Sequence, residues 1–345
     1  MDKVETGQAP VGVGLIGVGR IGRIHGTNIA NRIPGARLVG VCDLDQHAAK
    51  DFAQRAGGAK VYEHADALLA DPQVDAVLIC SATDTHADLV EKAAGAGRAI
   101  FCEKPISFDL AAVDRALAAV AQNDVLLQVG FNRRFDPSFS AVRRAVADGS
   151  VGTPELVRIT SRDPSPPPIE YVKVSGGLFF DMTIHDFDMA RFLTGSEPRT
   201  VFAMAGVRVD PAIGEAGDID TAVITIEFEN GVFCTIDNSR RAVYGYDQRV
   251  EVFGSLGVAR AENELPHRAS LADSRGVHEA LPLHFFLERY EASFLAELES
   301  FVRCVATKTK PEVDGTCGRI PVLMARAAYA SLAEGRAVSL EESLP

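Results

Sequence analysis

Two stretches of the chain carry residue types at spacings that chemistry needs. The first is Gly17-Val18-Gly19-Arg20-Ile21-Gly22, a G-x-G-x-x-G run set between an apolar strand and a helical stretch. In that setting Gly17 permits a tight turn, Gly19 lets the backbone approach a pyrophosphate, and Gly22 lets the helix pack closely, while the helix N-terminus attracts phosphate charge. Asp43 follows at the end of the next strand. A carboxylate there accepts hydrogen bonds from both hydroxyls of an adenosine ribose and repels a 2′-phosphate. Asp45 adds negative charge and no Arg directly follows Asp43, so the expected cofactor is NAD rather than NADP.

The second stretch is residues 177–193, where Asp181, His185 and Asp188 recur at i, i+4 and i+7 and so fall on one face of a helix. Phe180, Ile184 and Phe187 line a neighbouring stripe that would hold this helix on a core. Hydride loss from a secondary alcohol needs a base for the hydroxyl proton, and an imidazole titrates in the right range. His185 fits that task, with Asp181 to orient or stabilise the imidazolium. Lys104, in Glu103-Lys104-Pro105, directly follows the apolar run 99–102, at the carboxyl edge of a sheet where open α/β folds bind ligands. Pro105 forces the chain to turn, and the ammonium could face a nicotinamide and steady a developing alkoxide. Taken singly, Lys104 also reads as a solvated loop lysine, and Asp181 as a complement to a helix dipole. A metal held by His185 and two carboxylates lacks a second His or Cys at ligand spacing, so none is expected.

These residues need a frame to bring them together. Over the first 130 residues, strand-like runs at 11–17, 37–42, 75–80, 99–102 and 125–130, with a weaker one at 60–62, alternate with helical patterns at 22–33, 46–56, 86–96 and 110–122. Such alternation predicts an α/β, doubly wound parallel sheet with helices on both faces. Beyond Phe131 come a helix at 137–147, a strand at 155–162 and a helix ending near Leu193, before Gly195. Strand-like runs at 200–209, 221–229, 232–238, 249–253 and 258–261 follow, with Asn230-Gly231 as a hairpin turn, which predicts an antiparallel sheet. Residues 285–305 and 320–332 look helical, and either would pack back on the first domain. The proline-dense run 161–168 reads as a stiff loop. The expected division is 1–130 and 131–345.

Composition narrows the class. With 345 residues, 47% hydrophobic, 24% charged and 7% aromatic, the chain is an ordinary globular sequence long enough for about two domains at roughly 150 residues each. A net charge of −12 repels phosphate backbones and anionic lipid, so neither nucleic acid nor membrane is an expected partner. No charge-free apolar run reaches roughly 18 residues. Residues 1–10 lack the basic-then-apolar pattern of a signal peptide. The six cysteines form no C-x-x-C pair and no dense framework, which points to the reduced cytoplasm. Cys42, Cys80 and Cys102 read as small buried side chains, and His25, His47 and His64 as surface residues without further signal.

From about Val11 to about Leu332 the chain resembles the Gfo/Idh/MocA oxidoreductases. The likeness rests on residues 17–22, on Glu103-Lys104-Pro105, on Gly130-Phe131-Asn132-Arg133-Arg134-Phe135-Asp136-Pro137 and on Asp181-x-x-x-His185, in the family's order and spacing. The resemblance implies a Rossmann domain, a C-terminal α+β domain with a largely antiparallel open sheet, and oligomers, often tetramers, packed through that sheet. It also implies NAD(P) held by Gly17, Gly19, Arg20, Ile21, Gly22, Asp43, Glu103 and Lys104, and an active set of Lys104, Asp181 and His185. Arg162-Asp163-Pro164, His185-Asp186-Phe187-Asp188 and Tyr244-Gly245-Tyr246-Asp247 look like the inositol-dehydrogenase branch. That likeness adds Arg134, Asp163, Asp188 and Tyr246 as ligands for the hydroxyls of a cyclic polyol, oxidised with NAD in inositol catabolism. Some members of the branch carry Asn and His where this chain has Asp163 and Ser161. The rival readings are another inositol stereoisomer or a pyranose as substrate, and a dinucleotide-binding sensor without turnover. On their own residue types, Arg134 reads as a partner for a surface carboxylate, Tyr246 as a hairpin aromatic and Asp163 as a loop cap.

Overall fold

The computed structural model describes residues 9–343; the stretch 1–8, part of the N-terminus read above for a leader, lies outside the described residues. The chain forms two compact units, Met1–Phe131 with Phe294–Arg319, and Asn132–Ser293 with Ile320–Pro345.

In the first unit the order is β1 (Val11–Ile16), α1 (Arg20–Asn31), β2 (Ala36–Cys42), α2 (Gln46–Arg55), β3 (Lys60–Tyr62), α3 (Ala65–Leu69), β4 (Ala76–Ile79), α4 (His86–Gly95), β5 (Ala99–Cys102), α5 (Leu110–Gln122) and β6 (Leu127–Val129). The sheet runs β3-β2-β1-β4-β5-β6 with every pair parallel. The winding reverses between β1 and β4, and ligands of such sheets bind beyond the carboxyl ends of the strands at that point. β1 and β4 are buried at every residue, as parallel strands covered on both faces must be. Their core is shared by Leu15, Val41, Leu78, Phe101, Ile29 and Phe52, and is completed by Leu298, Phe301 and Val302 from the returning segment 294–319.

The later elements are α6 (Pro137–Ala147), β7 (Pro154–Arg162), α7 (Ile169–Val172), a π-helical turn over Phe179–Thr183 that runs into α8 (Ile184–Thr194), β8 (Pro198–Gly206), α9 (Pro211–Glu215), β9 (Thr221–Phe228), β10 (Phe233–Ser239), β11 (Asp247–Gly254), β12 (Gly257–Ala261), β13 (Ser270–Asp273), β14 (Gly276–Glu279), α10 (Phe286–Arg289), α11 (Glu291–Thr307), α12 (Gly315–Glu334) and β15 (Val338–Ser339). A seven-stranded sheet runs β12-β11-β7-β10-β9-β8-β15. Its neighbours are antiparallel except β7 and β10, which pair in parallel. Val157, Ile159, Ile224, Ile226, Ile236 and Val252 are buried on the face that carries α8, while Leu156, Met204, Val223, Phe233 and Val258 are exposed on the other. That alternation is the period-two signature of a sheet covered on one side.

Three details differ from the sequence reading. The expected single helix at 285–305 is two, α10 and α11, interrupted at Tyr290, whose ring is buried beneath the Arg133 and Arg289 guanidinium groups. The fully exposed hairpin β13–β14 carries no apolar alternation to reveal it. The helix expected to place Asp181 and His185 in regular α spacing begins with a π turn that contains Asp181.

Candidate active site

The glycine loop meets steric and electrostatic tests for a dinucleotide. Gly17 sits at φ +93°, and a Cβ there would lie 2.6 Å from the backbone of Cys80 and Ser81. A Cβ on Gly22 would stand 2.0 Å from the Gly17 carbonyl oxygen. Among the described residues a Cβ on Gly19 would meet no atom within 4 Å, so the room it leaves is open space at the N-terminus of α1. Arg20 is exposed and Ile21 half-buried at that end. The uncapped N–H groups of the first turn and the helix dipole suit a phosphate. Asp43 is oriented by two backbone bonds, Oδ2 accepting from Val18 N–H at 2.7 Å and Oδ1 from Asp45 N–H at 2.8 Å. Each carboxylate oxygen keeps a second lone pair for a ribose hydroxyl. The residues present therefore fit NAD.

At the end of β5, Glu103 and Lys104 are half-buried, and the Lys104–Pro105 peptide is cis. His86 links this turn to the end of β4, its Nδ1 lying 2.8 Å from the Pro105 carbonyl and its Nε2 3.0 Å from the Ser81 carbonyl. The loop that carries Lys104 is thus tied to the loop beside Gly17.

In the second unit Asp181 and His185 are both half-buried, on the π turn and on the first turn of α8. A buried polar network fixes this helix. Arg133 Nη1 donates to Asp186 Oδ1 at 2.6 Å, Asn238 Nδ2 donates to Asp186 Oδ2 at 2.8 Å, and Thr183 Oγ1 donates to Asn238 Oδ1 at 2.6 Å. Satisfied networks of this kind rigidify the element they hold. Gly177, at φ +83°, lets the chain enter the helix where a Cβ would strike Tyr329 Oη at 2.2 Å.

Asp181 Oδ1 accepts from Tyr171 Oη at 2.8 Å, and its Oδ2 lies 2.9 Å from Arg240 Nη1. The same guanidinium nitrogen is 3.5 Å from Asp163 Oδ2. Burial, with the nearby Asp181 charge adding and Arg240 opposing, pushes the Asp163 carboxyl up to about 6. Arg134 and Asp188 are buried and face each other in a bidentate pair, Nε to Oδ2 at 2.8 Å and Nη2 to Oδ1 at 2.6 Å. Tyr246 is also buried, edge-on to Tyr290 at 5.9 Å, and burial holds its phenol well above the usual range. Among the described residues the second unit therefore gathers Asp163, Asp181 and Arg240, while Arg134 is joined to Asp188.

Sequence reasoning missed Arg240, Arg133, His86 and His25. His25, expected on a helix surface, is fully buried, whereas His47 and His64 are exposed as expected. The signal available was position: His25 lies three residues after Gly22, on the side of α1 that also buries Gly22 and Gly26.

Comparison with known proteins follows the same division. Residues 11–131 match the oxidoreductase family with an NAD-binding Rossmann fold, and residues 139–260 match the GFO/IDH/MocA C-terminal domain. The chain is 48% identical over 330 residues to a myo-inositol 2-dehydrogenase of Thermotoga maritima, covering 96% of this chain and 98% of that one. It is likewise 48% identical over 328 residues to an inositol 2-dehydrogenase of Rhizobium meliloti, covering 95% and 98%. A scyllo-inositol dehydrogenase of Lactobacillus casei, solved with NAD(H) and scyllo-inositol, superposes with a TM-score of 0.90 at 29% identity, covering 96% of this chain and 99% of that one. With both domains matched and 48% identity across 96% of the chain to a relative, the chain belongs to the Gfo/Idh/MocA family of NAD-binding oxidoreductases.

Proposed function

We propose that this protein oxidises myo-inositol at its 2-position to 2-keto-myo-inositol with NAD. The observation that carries the reading is 48% identity across 96% of the chain to a protein named myo-inositol 2-dehydrogenase. Lys104, Asp181 and His185 act on one hydroxyl. His185 takes the hydroxyl proton as negative charge builds on oxygen, and Asp181 steadies the imidazolium that forms. The Lys104 ammonium stabilises the developing alkoxide. NAD, when bound, accepts the hydride, so one alcohol and one NAD give one ketone, one NADH and one proton. Gly17, Gly19, Arg20, Ile21, Gly22, Asp43, Glu103 and Lys104 hold the cofactor, and Arg134, Asp163, Asp188 and Tyr246 shape the polyol site. The exposed apolar residues on the open sheet face join copies into a homotetramer, working in the cytoplasm.

A second reading changes only the alcohol. It is favoured by the likeness to the scyllo-inositol dehydrogenase of Lactobacillus casei. Steady-state NADH formation from myo-, scyllo- and chiro-inositol and glucose tests both. Highest kcat/KM on myo-inositol supports the proposal; a preferred pyranose overturns it. Thermal stabilisation by inositol with no NADH formed would make the protein a sensor.

A further inference from the structure

Three ionisable side chains meet inside the first unit, and the hydride-transfer reading gives two of them no task. His25 on α1 and Glu297 on α11 are fully buried, and Glu103 follows β5 beside Lys104. His25 Nε2 lies 2.7 Å from Glu103 Oε1 and 3.8 Å from Glu297 Oε1. The other oxygen of Glu103, Oε2, accepts the Lys104 backbone N–H at 3.3 Å. Gly130 makes room for this carboxylate: a Cβ there would stand 3.0 Å from Oε1 and 3.2 Å from Oε2. The His25 ring is fixed edge-on against Phe101 and Phe294, with centroids 5.1 and 5.8 Å away.

We propose that His25 is a positioning residue that holds the Glu103 carboxylate, and through it Lys104, so that the helix receiving the pyrophosphate is locked to the strand end presenting the ammonium. The inference rests on the dehydrogenase reading only for the task of Lys104. Neither Glu297 oxygen has a hydrogen-bond partner among the described residues, and full burial disfavours an ionised carboxylate there. Burial, with the Glu103 charge adding, raises the Glu297 carboxyl far above the usual range, so it stands as the neutral acid. The thiols of Cys80 and Cys102 are the other titratable groups facing the cluster, and burial keeps both neutral. The same three side chains have the ligand types of a divalent-cation site, with ligating atoms within 4.8 Å of one another, so an ion is the competing occupant.

The test uses the full-length protein and a readout that needs no substrate. His25→Phe keeps the ring packing and removes the bond to Glu103. It is expected to change the rate at which acetic anhydride labels Lys104 at least fivefold, read by mass spectrometry of the Lys104 peptide. The circular dichroism spectrum stays native, and kcat on the preferred polyol falls about tenfold with the polyol KM within threefold. His25→Gln, which can still donate to Glu103, restores part of the labelling rate, and the neutral near-isostere Glu297→Gln keeps kcat within twofold. Wild-type labelling of Lys104 in folded His25→Phe overturns the proposal, as does a stoichiometric divalent metal in the purified protein by plasma mass spectrometry. If His25→Phe does not fold, His25→Asn, too short to reach Glu103, carries the same readout. Failure of the inositol assignment would remove turnover yet leave the labelling change intact, so the two outcomes are distinguishable.

Discussion

Asp136 gives the sharpest stability test, because its two carboxylate oxygens do separate work. Oδ1 caps α6, accepting from Ser138 N–H at 3.0 Å and Phe139 N–H at 3.1 Å. Oδ2 pairs with Arg289 Nη1, and both residues are buried. Asp136→Asn keeps a good capping oxygen but strands the guanidinium, and breaking a buried pair on one side costs about 3–5 kcal/mol. Asp136→Ala loses the cap as well, adding about 1 kcal/mol. At about 2–4 °C per kcal/mol for a unit of this size, Asp136→Asn should lower Tm by about 6–20 °C, and Asp136→Ala by a few degrees more. Asp136→Asn combined with Arg289→Met removes both charges and should recover more than half of the Asp136→Asn loss. Calorimetry at one fixed protein concentration measures all four proteins, since any assembly would make Tm concentration-dependent. A loss below about 0.5 kcal/mol in Asp136→Asn, or a double variant as unstable as the single one, refutes the reasoning.

His185→Ala should leave NAD affinity within twofold, by fluorescence titration, while kcat falls about 10²–10⁴-fold; weakened NAD binding with normal turnover would reassign the residue. For Asp163 the folded carboxyl titrates at about 6, above its unfolded value, so the stability it permits is full below about pH 4 and is lost as pH rises through about 6. Asp163→Asn should therefore gain up to about 3 kcal/mol over wild type at pH 7.5 and nothing at pH 4, by urea midpoints; an equal gain at both pH values would contradict this. Val223→Glu with Phe233→Glu places charge on the open sheet face. Light scattering should then report a smaller species than wild type, and an unchanged mass would remove that face as the interface.

What the sequence discloses is local. The glycine loop could be read because Gly17, Gly19 and Gly22 act within one turn of chain, and Asp43 because a strand end fixes where its carboxylate stands. Asp181 and His185 stand out by spacing, but that spacing gives no sign of the π turn that contains Asp181, or of the bond from its Thr183 to the distant Asn238. The Arg133–Asp186 and Arg134–Asp188 pairs join residues more than fifty positions apart, and no periodicity signals which charges will meet. His25 looks like a surface residue on a helix that also carries Arg20 and Arg23; the elements that bury it include α11, near the other end of the chain. The parallel pairing of β7 with β10 is likewise decided by how the sheet assembles, not by any residue in either strand.

The return of residues 294–319 to the first unit bears on how the protein is made. An N-terminal domain normally folds as it leaves the ribosome, at roughly 5–20 residues per second. Here Leu298, Phe301 and Val302 are translated last among the residues of that core, so the nascent Rossmann sheet waits with one flank uncovered while residues 132–293 of the second unit are synthesised. A fragment stopped at Phe131 would keep that flank bare, and fusing 294–319 to its end through a flexible linker is the way to obtain the cofactor-binding half alone.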